Sequence, residues 1–208
     1  MDIEQVIGIV TKVFPMSKIL RAYLHVYYRS KIAFLRLLVG DEAAACVLRS
    51  CLFPQMVLKI GKAKIGKNVR VGRWLTVHAS KGSFKNLEIG NDVYLGKNLL
   101  IDLTERVTIG NRAGIGMNVT VITHADFGNS HLSEHYPPVA AQVEIMEDAT
   151  VNWGCVINKG TRILSRALVL PGSVVSGMLK ESCIYGGNPA RLISRVCALP
   201  LNSSASAD

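Results

Sequence analysis

Between residues 145 and 175 an aliphatic side chain recurs at every sixth position: Ile145, Val151, Ile157, Ile163, Val169 and Val175. A small residue stands two places before each of the last five: Ala149, Cys155, Thr161, Ala167 and Ser173. Six is neither the period of a helix nor that of a strand. It is a repeat period, and a chain that keeps so short a repeat stacks its turns so that each packs on its neighbours. Upstream, Ile65, Val71, Val77, Ile89, Leu95, Ile101 and Val107 share one frame, missed only at Ser83. The frame then slips by two and continues at Ile109, Ile115 and Val121. Each hexad reads as a short strand and a tight corner, where Gly or Asn accepts the positive φ that a Cβ penalises. Three hexads close one triangular coil.

The hexads divide the chain into a helical N-terminal region at 1–55, a coil at 56–178 and a C-terminal extension at 179–208. In the first region Ile3, Val6, Ile7, Val10, Val13 and Phe14 recur at helical spacing until Pro15. Ser17 can cap a second helix that runs to Val39 with Gly40 as its stop, and Asp41 can cap a third to about Ser50. Residues 19–39 are apolar, but Arg21, His25, Arg29, Lys31 and Arg36 interrupt them, so the segment should not span a bilayer. Arg21, His25, Arg29 and Arg36 lie near one helical face. That face is either solvated or docks on an anionic membrane.

Composition narrows the setting. Five cysteines without framework spacing (46, 51, 155, 183, 197) suggest no disulfides and fit a reducing cytoplasm. Asp2 and Glu4 argue against a signal peptide. A net charge of +9 suits an anionic ligand or a membrane surface, and no nucleic-acid motif accompanies it. The tail at 200–208 is rich in Ser and Ala, a composition of disordered ends.

The coil has small irregularities, including a bulge at 79–85, and one large interruption at 123–142. That interruption holds His124, Asp126, His131, Glu134, His135, Tyr136 and the pair Pro137-Pro138. A long segment without repeat inside a regular solenoid is more often functional than accidental. His131 and His135 are four apart, yet no third ligand is fixed, so no metal site is expected.

Tandem hexads such as Ile65-Gly66, Val71-Gly72, Ile89-Gly90 and Leu95-Gly96 resemble the left-handed β-helix, or hexapeptide-repeat, acyltransferases. The likeness implies an all-β solenoid: a left-handed parallel β-helix of about six coils, preceded by the helical segment. The stretch from Asn118 to His124 (Asn-Val-Thr-Val-Ile-Thr-His) resembles the one that carries the catalytic histidine in the galactoside, maltose and nodulation-factor O-acetyltransferases. His124 is then the general base. A neutral imidazole takes the proton of a sugar hydroxyl as its oxygen attacks the thioester of acetyl-CoA.

The same resemblance, together with corner positions in the repeat, assigns the remaining site residues. Residues 94–110 align with the family's acceptor-binding coil. Asn98 and Asp102 are therefore either acceptor contacts or corner-turn residues. Trp153 and Gly154 stand at a corner of the resumed repeat, with Trp153 stacking on a ligand or packing in a subunit interface. Gly172 and Ser176 match the family's turn, and Lys180 stands in for a cofactor-contacting lysine absent at Gly177. Residues 185–191 (Tyr-Gly-Gly-Asn-Pro-Ala-Arg) resemble the terminal signature, which implies that Arg191 and Arg195, on one face if the segment is a short helix, reach the phosphate end of coenzyme A. The family implies a homotrimer and no metal. The expected activity is acetyl transfer to a hydroxyl of a bacterial surface polysaccharide (O-antigen or capsule) or its precursor. The expected place is the cytoplasm, with the N-terminal helices offering peripheral contact with the inner membrane. An amino-sugar N-acetyltransferase would share fold and cofactor. A serine O-acetyltransferase would need an Asp–His arrangement that the sequence does not display. A non-catalytic β-helix scaffold would bind no acetyl-CoA.

Overall fold

Short strands follow one another around three faces, and each face is a parallel sheet running along the coil axis. The computed structural model describes residues 18–39, 43–51, 53–78 and 83–196. The first sheet stacks Lys64–Ile65, Leu87–Ile89, Val107–Ile109, Val143–Ile145, Arg162–Ile163 and Met178–Leu179. The second stacks Arg70–Val71, Tyr94–Leu95, Gly114–Ile115, Thr150–Val151, Leu168–Val169 and Cys183–Gly186. The third stacks Thr76–His78, Leu100–Asp102, Thr120–Val121, Val156–Ile157 and Val174–Val175. Five coils are thus complete, and a sixth ends on the second face. The aliphatic residue of each hexad points inward, and so do the small residues Ala149, Cys155, Thr161, Ala167 and Ser173, all buried. A narrow triangular core leaves room for one large side chain per strand and only a small one beside each corner.

Every departure from the six-residue step falls at one corner. From the first face to the second, and from the second to the third, the step is always six, as in Ile145, Val151 and Ile157. From the third face back to the first it is twelve residues for Val77 to Ile89 and eight for Ile101 to Ile109. It is then twenty-four for Val121 to Ile145, six for Ile157 to Ile163 and four for Val175 to Leu179. The two-residue slip in the frame is therefore extra length between Asp102 and Val107. Every insertion leaves and rejoins the coil at the same edge of the prism, which we call the third corner.

The first corner, between the first and second faces, carries a ladder of polar contacts along the axis. Asn68 donates to Asp92 at 2.9 Å, Arg112 grips Asp148 through two bonds of 2.7 Å, and Arg166 pairs with Glu181. These pairs are exposed and fix register more than they add stability.

The helical region is α1 (Lys18–Val39), α2 (Ala43–Ser50) and α3 (Pro54–Ile60). The expected helix at 3–14, the cap at Ser17, the stop at Gly40, the cap at Asp41 and the tail at 200–208 lie outside the described residues. α3 runs past the expected boundary at 55, and the coil begins at Lys64. Pro54 at its first turn is a helix-starting signal that the hexad frame conceals. The helix closes the end of the solenoid. Val57 and Leu58 are fully buried, and Gln55 Nε2 donates to the Val69 carbonyl at 2.9 Å. An open coil end would otherwise expose core and unpaired backbone.

The far end closes differently. Arg191–Arg195 is a strand antiparallel to Cys183–Gly186, with a register shift beside Ile193. The short helix expected for Arg191 and Arg195 is therefore replaced by a strand, because Gly187 turns the chain back onto the free edge of the second sheet.

Candidate active site

Two neighbouring insertions at the third corner meet around one imidazole. The first is the eight-residue step that contains Asp102 and Thr104. The second is the interruption that opens at Thr123 and His124. Its base is a two-stranded antiparallel ribbon, with His124 opposite Ala140 and Ala125 opposite Val139. Beyond it lies a single 3-10 turn, His131–Glu134, started by the Ser130 hydroxyl, which accepts from the Leu132 N–H at 3.2 Å. Phe127 and Tyr136 meet across the loop with ring centroids 5.7 Å apart and planes tilted by 46°.

Asp102 is buried at the foot of this corner. Its Oδ2 lies 2.6 Å from His124 Nδ1 and accepts the Thr123 N–H at 2.8 Å and the Thr123 hydroxyl at 2.6 Å. Its Oδ1 accepts the Thr104 N–H at 3.0 Å and the Thr104 hydroxyl at 2.8 Å. Thr104 Oγ1 also lies 3.1 Å from His124 Nδ1. The Thr123 oxygen in turn accepts the Glu105 N–H at 3.1 Å. Burial pushes the Asp102 carboxyl up. The hydrogen bonds from Thr123, His124 and Thr104 outweigh it and hold the group well below the usual carboxylate range.

An ionised carboxylate against Nδ1 requires a proton on that nitrogen. The neutral ring therefore carries its lone pair on Nε2. No described residue hydrogen-bonds Nε2, and the His124 side chain is 35% exposed. His78, in register with Asp102 on the first coil, stacks on His124 with centroids 5.9 Å apart and planes 24° from parallel. The arrangement can take a proton from a hydroxyl and return it, with the carboxylate steadying the imidazolium between the two steps.

Asp102 takes the corner-turn role, its Oδ1 accepting the Thr104 N–H two residues on. Both of its oxygens are engaged within the corner, and Oδ2 lies against His124 Nδ1. The Asp–His arrangement that the sequence does not display is present in space, across two coils. Asn98 is exposed on the second corner at φ +55°, and its amide donates to Asn118 Oδ1 at 2.8 Å.

The remaining residues lie apart. Trp153, Gly154 and Gly172 occupy the second corner, with both glycines at positive φ (+68° and +70°) where the turn demands it. Trp153 is exposed and lies across Gly116. The second corner is one strand away from the third, roughly 15 Å, so Trp153 is not against the His124 loop in the same chain. Ser176 shares the third corner with His124 and accepts from Asn158 Nδ2 at 2.9 Å. Lys180 is exposed at the first corner, with its N–H bonded to the Tyr185 hydroxyl at 2.9 Å. Arg191 and Arg195 are exposed on the terminal strand. His131 and Glu134 are exposed and 3.8 Å apart, and His135 is exposed. Among the described residues no cluster of three His, Cys, Asp or Glu could hold a metal ion.

Sequence reasoning missed the roles of Thr104, Thr123 and His78. The two-residue slip between Asp102 and Val107 was their signal, since it marks extra chain at the corner that bears His124.

No protein-family model matches the chain. It is 27% identical to the galactoside O-acetyltransferase of Escherichia coli K12 over 136 residues, which are 64% of each protein. The chain thus spans less than two thirds of that relative's length. In structure it is similar to a hexapeptide-repeat-containing acetyltransferase of Vibrio cholerae crystallised with acetyl coenzyme A. That likeness has a TM-score of 0.64 and 21% identity over 87% of this chain and 91% of that one. A maltose O-acetyltransferase of Clostridium difficile gives a TM-score of 0.65 at 17% identity, over 82% and 88%. The fold is that of the hexapeptide-repeat acyltransferases, and the sequence likeness runs to that family's galactoside O-acetyltransferases.

Proposed function

We propose that the protein transfers the acetyl group of acetyl-CoA to a sugar hydroxyl, on a bacterial surface polysaccharide (O-antigen or capsule) or its precursor, with His124 as general base. The observation that carries this reading is the Asp102–His124 pair with Nε2 open at the third corner. Nε2 accepts the acceptor's proton as its oxygen bonds to the acetyl carbonyl carbon. It then gives that proton to the departing thiolate, so the imidazole ends neutral. Acetyl-CoA supplies the acetyl group and the thiolate leaving group. Trp153, Gly154, Gly172, Ser176, Lys180, Arg191 and Arg195 would hold it, the cations by meeting its phosphates. These residues occupy three corners and the terminal strand. A second copy would bring its own corner to His124, which supports a homotrimer with the groove between subunits. A cytoplasmic enzyme with a peripheral place on the inner membrane, beside a membrane-borne acceptor, completes the reading.

The Asp102–His124 pair supplies the arrangement that a serine acceptor would need, so serine stands as the second reading. Acetyl transfer from acetyl-CoA to defined hydroxyl sugars, amino sugars and serine separates the acceptors. His124→Ala should lower turnover on the preferred sugar at least about 10²-fold, with acetyl-CoA binding and oligomeric mass unchanged. Full transfer by that variant would sink the mechanism, and an absence of acetyl-CoA binding by the wild type would favour a scaffold.

A further inference from the structure

α1 uses one face on the rest of the chain. Tyr28 and Ile32 are buried against the helical cap, and Leu35 packs beside them. At about 100° per residue, Ile19, Tyr23, Val26, Phe34 and Leu37 fall on the opposite side. They are 83, 66, 63, 63 and 83% exposed. A surface helix ordinarily carries polar residues there, and an apolar stripe of this length marks an interaction surface.

Charge identifies what the stripe meets. The helix carries Lys18, Arg21, Arg29, Lys31 and Arg36, and not one Asp or Glu. The exposed Arg29 flanks one border of the stripe, while Arg21 and His25 lie further round, toward the buried face. Lys31 follows the other border, with its Nζ 6.0 Å from the centre of the Tyr27 ring. Borders of one sign around an apolar centre match a layer of anionic headgroups over acyl chains, where cations meet phosphates and apolar side chains sink about 5–10 Å. Tyr23 and Tyr27 suit that depth, being apolar in body and polar at the tip. No helix among the described residues is long and apolar enough to cross a membrane.

We infer that α1 lies flat on an anionic lipid surface, with the Ile19, Tyr23, Val26, Phe34 and Leu37 stripe inserted and its basic borders on the headgroups. This differs from docking by the basic face alone, because the apolar stripe supplies most of the burial. It deepens the peripheral placement proposed above and rests on that reading for location only. The first coil carries His78 on His124, and two coil spacings are about 10 Å. The site therefore lies near the helical end, where an acceptor held in the same membrane could reach it.

The test uses the full-length protein and vesicles of either phosphatidylcholine alone or phosphatidylcholine with phosphatidylglycerol, at about 0.1 M salt. Sedimentation should show binding only with phosphatidylglycerol, weakened by added salt. The double substitution Tyr23→Glu and Phe34→Glu should reduce that binding at least about tenfold, with helicity and acetyl transfer to a water-soluble sugar unchanged. Three results overturn the inference: equal binding to both vesicles or to neither, binding that survives the double substitution, and a variant whose oligomeric mass changes while the wild type ignores vesicles. A wild type that binds vesicles yet transfers no acetyl group leaves the lipid surface standing and sinks the catalytic reading instead.

Discussion

Asp102 Oδ2 lies 2.6 Å from His124 Nδ1, although the two residues come from successive coils and are separated by 22 positions. Donors converge on both oxygens of this carboxylate: Thr123 and His124 on Oδ2, Thr104 on Oδ1. An amide at this position turns its NH2 against donors in either orientation. Asp102→Asn should therefore lower acetyl transfer about 10²-fold or more by releasing the His124 tautomer, and it should destabilise the fold at neutral pH. The sign of the pH dependence follows from the depressed folded-state value. The unfolded chain takes up the Asp102 proton near the ordinary carboxylate value, about 3.9, while the folded chain resists it to lower pH. This contribution is complete above that value and is lost as pH falls below it. Melting temperatures of wild type and variant, recorded from neutral pH to about pH 3, should converge toward the acid end. A gap that stays constant would contradict the assignment.

Thr123 is fully buried, and its hydroxyl does two jobs, donating to Asp102 and accepting from the Glu105 N–H. Thr123→Val keeps the shape and removes both bonds, leaving the part-buried Glu105 N–H and part of a buried carboxylate unmet. The expected cost is about 1–3 kcal/mol in urea unfolding, with a parallel fall in turnover. Thr123→Ser restores the hydroxyl and should recover most of both. Equal losses in Ser and Val would mean that the methyl, rather than the hydroxyl, holds the corner.

The solenoid was legible because its signal is one of period: an inward residue every sixth place survives in the linear order from Ile145 to Val175. The position of His124 was legible for the same reason, since a loop announces itself by stopping the beat. The partnership with Asp102 was not. A residue on one coil meets the next only through the register of stacked strands, and the extra two residues before Val107 hid which face Asp102 would take. α3 was overlooked because a seven-residue helix shows too few turns for its own period to emerge. The exposed stripe of α1 lay in plain view as Ile19, Tyr23, Val26, Phe34 and Leu37, but a sequence alone does not say which of two apolar faces the cap consumes.

Trp74 holds φ at +62° on the second corner. The equivalent places on later coils are Asn98, Asn118, Gly154 and Gly172, residues that tolerate this conformation. Trp74 is mostly exposed, so little packing offsets the strain. Trp74→Asn should stabilise the protein by about 1 kcal/mol, read as a higher midpoint in urea with an unchanged slope. A lower midpoint would show that the indole makes a contact worth more than the backbone relief.

Leu58 on α3 is fully buried and closes the first coil beside Val57. Leu58→Ala leaves a cavity there, at an expected cost of about 2–5 kcal/mol. In a solenoid each coil is held chiefly by its neighbours, so the damage should stay local. Amide exchange should accelerate in the strands Lys64–Ile65, Arg70–Val71 and Thr76–His78, while Thr150–Val151 and Val156–Ile157 keep their protection. His78 belongs to the first coil and stacks on His124, so fraying should also reach the site and lower turnover before the far coils loosen. Uniform acceleration along the whole chain would instead mean that the helical cap and all the coils unfold as one cooperative unit.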